Sequence, residues 1–139
     1  MPTPSGVLRE LIEQHEKLRE MIDRCEHYAD EHDQGRALAS DLTREVAKLR
    51  IAFEAHNRFE EQLLRPVLRE ADAFGEVRIE SMVAEHLDEH RAMGFHLDGP
   101  TAELRGALYS LRAHLVAEER YFLTSRVLRD DVVSVESAG

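Results

Sequence analysis

The sequence predicts an all-α protein, an antiparallel up-down-up-down four-helix bundle. Three observations lead there. Apolar residues recur at alternating spacings of three and four along four long segments, the pattern of helices that each bury one stripe. Three short turn signals built from Gly, Pro and Asp separate those segments. Ala, Leu, Glu and Arg are abundant and Trp is absent, which favours helix.

The first helix opens at Thr3-Pro4-Ser5, where Ser5 or Thr3 can cap, and runs to about His32. Asp33-Gln34-Gly35 breaks it. The second spans about Arg36 to Ala71, with Pro66 expected to kink it or end its regular part. Asp72-Ala73-Phe74-Gly75 is the second turn. The third helix spans about Glu76 to Leu97, and Asp98-Gly99-Pro100 follows. The fourth spans about Thr101 to Leu128, with Pro100 at its first position. One domain covers 1–139, with its core at about 5–128 and a frayed tail at 130–139.

The stripes are informative where they stop being apolar. The first reads Leu8, Leu11, His15, Leu18, Ile22, Cys25, Ala29. The second reads Leu42, Val46, Leu49, Phe53, His56, Glu60, Leu63, Val67. The third reads Ile79, Met82, His86, His90, Met93, Leu97, and the fourth Ala107, Leu111, His114, Glu118, Tyr121, Ser125. Five histidines and two glutamates thus take core positions. Burying a neutral polar group without a partner costs on the order of 2–7 kcal/mol, so seven together require something that satisfies them all. Metal ions would.

Turn positions put these residues at one height. His15 and His56 are equidistant from Gly35-Arg36. The pairs His56/Glu60 and His86/His90 are equidistant from residue 73, and His86/His90 and His114/Glu118 from residue 102. Each midpoint falls on or near a turn found independently, so antiparallel helices bring all seven into one layer. There is also a weak internal repeat: LIEQH resembles MVAEH, and HNRFEEQLL resembles HLVAEERYF. Two similar hairpins would give a site with two similar halves. Residues four apart share a helix face at about 6 Å, and imidazole with carboxylate suits iron, manganese or zinc rather than calcium.

The order H…HxxxE…HxxxH…HxxxE resembles hemerythrin and the bacterial HHE cation-binding domains over about residues 7–128; a relative in that family is a standard example of the up-down-up-down topology. The resemblance implies two iron ions with an oxo or hydroxo bridge. His86, His90 and His114 would hold one iron and His15 and His56 the other, with Glu60 and Glu118 bridging. The second iron would then keep an open position for oxygen, nitric oxide or peroxide. Oxygen-carrying hemerythrins place their last carboxylate, an aspartate, five residues beyond its histidine. Here Glu118 is four beyond His114 and Glu119 five, about 40° and 140° away around the helix. Glu118 is the favoured ligand, with Glu119 as the alternative carboxylate or a neighbour that supports a ligand. The departure weakens oxygen carriage in particular.

Two functions share this site: a protein that binds or senses a small diatomic molecule or handles iron, and an enzyme that turns over peroxide or oxygen with an unidentified redox partner. A zinc hydrolase, from the HxxEH match at His86, Glu89 and His90, leaves the other ligands without a role. A ferritin-like oxidase needs Glu three residues before His, and none of the 8 histidines has it. A purely structural bundle leaves the polar layer unexplained. The net charge of −10 and the scattered basic residues argue against nucleic acid and anionic membranes. One cysteine, with no apolar leader or spanning run, gives the expectation of a cytoplasmic protein. His27, His32, His96 and Glu61 read as solvated or capping, Cys25 as a core thiol, Phe53 and Leu63 as site walls, and Tyr121 as a core tyrosine.

Overall fold

Four helices account for nearly all of the described chain in the computed structural model. It describes residues 3–71, 74–96, 100–121, 123, 124, 127, 128 and 130, with residue 71 and residues 92–96 described by backbone alone. The helices are α1 (Pro4–Asp33), α2 (Ala39–Ala71), α3 (Gly75–His96) and α4 (Thr101–Tyr121). No strand occurs among the described residues. Each helix packs on its two neighbours in a ring, α1 on α2 and α4, and α3 on α2 and α4, with no diagonal pair of backbones in close approach among the described residues. That is the expected antiparallel bundle.

Local chemistry fixes the ends. Thr3 Oγ1 accepts the Gly6 amide at 3.1 Å, with Pro4 behind it, so Thr3 is the cap. Gly35 closes α1 with a φ of 74°, a left-handed conformation that glycine adopts without penalty. The α2 helix begins three residues later than Arg36 because residues 36–38 complete this turn; Asp41 then accepts the Leu38 amide. Pro66 does not end α2. It lies on the exposed face, where the carbonyl it deprives of a donor can turn to water. Gly75 lets α3 start hard against α2: a Cβ there would sit 2.0 Å from the Leu68 carbonyl oxygen. The ends are tied by Ser5 with Asp130, and by Thr101 and Arg105 with Asp33.

The core is in two parts. Leu18, Ile22, Leu49, Phe53, Leu108, Leu111 and Leu115 belong to one apolar cluster. Leu11, Leu64, Leu68, Ile79, Met82 and Leu123 belong to the other. Along α1, α2 and α4 the candidate ligands fall between the two, so a polar layer divides the core. The stripes differ from expectation in places. Val7 is buried rather than Leu8, and Leu64 and Leu68 rather than Leu63 and Val67. A real helix has 3.6 residues per turn, so a stripe drifts from strict heptad positions over a long helix. α4 ends at Tyr121, seven residues early. The chain folds back with the Leu123 amide on the Glu118 carbonyl, Tyr121 turns out to 60% exposure, and Leu123 and Leu128 fill the core instead. Side chains of Met93, His96, Leu97 and Ser125, turn residues 72–73 and 97–99, and the tail from 131 lie outside the described residues. No helix among the described residues is long and apolar enough to cross a membrane.

Gly75→Ala should destabilise the bundle by about 1–3 kcal/mol, because backbone rather than a flexible side chain must give way. Gly106→Ala, where a Cβ meets nothing, should be neutral or slightly stabilising. Thermal melts of the two variants should fall on opposite sides of the parent or well apart.

Candidate metal centre

Four imidazoles and two carboxylates meet in the dividing layer. His15, His56, Glu60, His86 and Glu118 are buried, and the His114 side chain is 9% exposed. Each histidine turns Nε2 inward. His56 and His86 bring theirs to Glu60, at 2.9 and 3.1 Å. His15 and His114 bring theirs to Glu118, at 3.2 and 3.1 Å. His56 and His86 also approach Glu118, at 3.8 and 3.7 Å. Each carboxylate therefore stands between histidines of both hairpins. The rings pair across each hairpin, His15 with His56 at 4.9 Å and His86 with His114 at 6.0 Å. Phe53 covers the layer from one side, edge-on to His56 and 6.4 Å from His114.

The other ring nitrogen of each histidine meets an oxygen acceptor outside the layer. Nδ1 of His15 is 2.7 Å from Glu119, which Arg19 holds in turn. Nδ1 of His56 is 2.7 Å from Gln14, that of His86 is 2.9 Å from Glu61, and that of His114 is 2.8 Å from Glu89. An Nδ1–H donated outward leaves the Nε2 lone pair facing in. This is the arrangement by which proteins orient and strengthen imidazole ligands.

Electrostatics inside the layer are tense. Burial opposes charge on His56, His86 and His114, yet hydrogen bonds and charge from Glu118 and Glu60, or Glu89 for His114, outweigh it. Their pKa values rise to about 9, 11 and 10. Burial raises Glu60, with Glu118 beside it adding to the effect. Burial also acts against Glu118, but hydrogen bonds from Glu60, His114, His15 and His56 hold it well below the usual carboxylate range. The two neighbouring carboxylates are thereby pushed in opposite directions. Even so, Nε2 of His15, His56 and His114, Oε2 of Glu60 and both oxygens of Glu118 are buried with no well-directed hydrogen bond. Nitrogens and oxygens that converge without well-directed hydrogen bonds are what a cation satisfies once the imidazoles give up their protons. The donor set fits iron, manganese or zinc. Ligand atoms of His15, His56, Glu60 and Glu118 lie within 4.8 Å of one another, as do those of His86, Glu89 and His114.

Six of the seven expected ligands thus come together. His90 does not join them. Its side chain is 69% exposed and meets Glu54 at 3.4 Å. Glu89 points in instead, 11% exposed, because the strict alternation through Gly75, Ile79, Met82 and His86 continues to residue 89, and a second step of four to His90 leaves the face. Glu119 takes the supporting place that its 140° offset allows. Glu61 is no solvated bystander, since it holds His86. The repeat carried that signal: Glu61 and Glu119 occupy the same place in HNRFEE and HLVAEE. Gln14 had no signal beyond its place beside His15. Cys25, pushed up to about 12 by burial, sits in the apolar cluster away from the layer.

Comparison with protein families matches the hemerythrin HHE cation binding domain over residues 6–124. No curated protein and no solved structure gives a significant match.

The raised histidines set the pH response of metal-free protein. They stabilise the fold while protonated, fully below their unfolded value of 6.5, and the contribution fades as pH climbs through about 9 to 11. Chelator-treated protein should therefore melt lower at pH 10 than at pH 6.5. Metal needs neutral imidazole and displaces those protons. The gain in melting temperature on adding metal should accordingly be larger at pH 8 than at pH 6.

Proposed function

The chain belongs to the hemerythrin HHE cation-binding family, and from that premise we propose that it is a di-iron protein that binds a small ligand such as oxygen, nitric oxide or peroxide. The observation that carries this reading is the buried layer of imidazole and carboxylate lone pairs, each imidazole fixed from outside by its own acceptor. One ion has more candidate donors than it can use: six side chains converge and a seventh lies nearby, against a usual coordination of four to six. His15 and His56 would hold one iron and His86 and His114 the other, with Glu60 and Glu118 between them. Iron held there supplies reversible electron transfer and a coordination position for the incoming ligand.

The seventh ligand is His90 in this proposal, brought in by turning its side chain about the Cα–Cβ bond. Glu89 is a second reading, favoured by its burial and by its place with His86 and His114. A count of nitrogen neighbours around the loaded metal separates the two.

The chain's own residues shape what reaches the layer. A groove of about 310 Å³ between α1 and α2 ends on His56 and is walled largely by Leu18, Met21, Ala52 and Phe59. It suits a small uncharged molecule approaching the His15/His56 half, where the family pattern has one histidine fewer. Binding and sensing are favoured over peroxide turnover because Tyr121, the one phenol expected near Glu118, faces solvent. A cytoplasmic site of action fits a single buried thiol that takes no part in a disulfide.

Anaerobic iron loading should approach two equivalents per chain by metal analysis, and chelation should lower the melting temperature by many degrees. His86→Ala or His114→Ala should cut metal content far more than His27→Ala. Azide should add a charge-transfer band to the oxidised protein that His15→Ala alters. Loading that stops at one equivalent would reject the di-iron centre, and rapid peroxide consumption would favour the enzyme reading.

A further inference from the structure

We propose that the groove between α2 and α3 is the binding and entry site through which a divalent cation reaches the buried layer. This rests on the metal-binding reading above. The groove encloses about 340 Å³. Glu54, Asn57 and Glu61 line it from α2 at spacings of three and four, and His86 and His90 line it from α3 at a spacing of four, so one polar face of each helix meets the other.

These residues are graded in depth. His90 and Glu54 form the rim, the first 69% and the second 34% exposed, with a nitrogen and an oxygen 3.4 Å apart. Asn57 lies deeper, 8% exposed, and its Oδ1 is buried with no hydrogen-bond partner. An orphaned amide oxygen in a groove with two carboxylates calls for a positive ligand. At the floor stands His86. Its Nδ1 meets Glu61 and its Nε2 meets Glu60, so one imidazole separates the groove from the layer. The groove therefore offers oxygen and nitrogen donors from water to the core, the chemistry of a first-row divalent ion. Arg58 stands on the same wall, while Glu54 pairs with His90 and Glu61 with His86.

The neighbouring α1/α2 groove is unlike it. Its walls are mainly apolar and its lining includes Lys17 but no carboxylate. Cation and small ligand thus have separate approaches to the two halves of the layer. On this account His90 captures the ion outside and is the side chain placed to follow it inward.

The test is the rate of metal uptake, with full-length chelator-treated protein and anaerobic Fe(II) or Co(II), followed optically and by final metal content. Glu54→Gln and Asn57→Leu should each slow uptake about tenfold while final content stays at the parent level. Glu80→Gln removes the same charge from an exposed position on α3 outside the groove and should leave the rate unchanged. Parent rates in both groove variants, or equal slowing by Glu80→Gln, would overturn the entry site. A lower final content in Glu54→Gln would also overturn it, since Glu54 would then be a resident ligand. Parent protein that never approaches two equivalents rejects the di-iron reading, whatever the variants do.

Discussion

Everything in this bundle is arranged around one constraint: six ionisable side chains share a buried layer, and their nitrogens and oxygens face one another. A buried carboxylate or imidazole is tolerated only when its charge and its hydrogen-bonding capacity are both met. Protons meet part of the demand. The facing carboxylates raise three histidines, burial raises Glu60, and Glu118 is held low by the groups around it. Protons cannot meet all of the demand, because a proton joins two atoms along a line and the layer presents clusters of three and four donors. A divalent ion accepts lone pairs from several directions at once. The protonated layer is therefore the compromise and the metal-bearing layer the arrangement toward which the side chains are built.

That arrangement is doubled. The hairpin α1–α2 and the hairpin α3–α4 contribute matching parts, and the match extends beyond the ligands. Glu61 supports His86 of the other hairpin, and Glu119 supports His15 of the other hairpin. Gln14 supports His56, and the equivalent Glu85 stands 3.8 Å from His114. Each half thus holds the other's first histidine from outside. Such cross-bracing ties the hairpins together through the site and not only through the apolar clusters at its two ends.

Most of the fold was legible because the stripes, the turns and the midpoints agreed with one another, as they must in a chain whose local and global preferences coincide. The convergence of six side chains was legible for the same reason: polar residues at core positions break a pattern that is otherwise strong. Three things were hidden. The end of α4 depends on Leu123 and Leu128 turning back into the core, a tertiary contact without a local stop signal such as Gly or Pro. The inward choice of Glu89 over His90 hangs on a rotation of α3 smaller than the angle between adjacent residues on its face. The supporting acceptors are hidden because a glutamate one residue past a ligand looks like any solvated glutamate. Only the repeat, with Glu61 and Glu119 in register, distinguishes it.

The two hairpins are not identical, and their differences point to function. His90 occupies on α3 the place that Arg19 occupies on α1. Arg19 is a fixed cation that closes its side of the layer by clamping Glu119. His90 is an exposed imidazole that pairs with Glu54 instead and leaves Glu61 to His86. Glu89 likewise occupies the place of Leu18, so one half is sealed by an apolar side chain where the other carries a carboxylate. Of the two similar hairpins, the groove on the α3 side is lined by carboxylates and imidazoles. On the α1 side the groove is mainly apolar, with Lys17 but no carboxylate. That asymmetry gives two similar sets of histidines and carboxylates two different neighbourhoods within one layer.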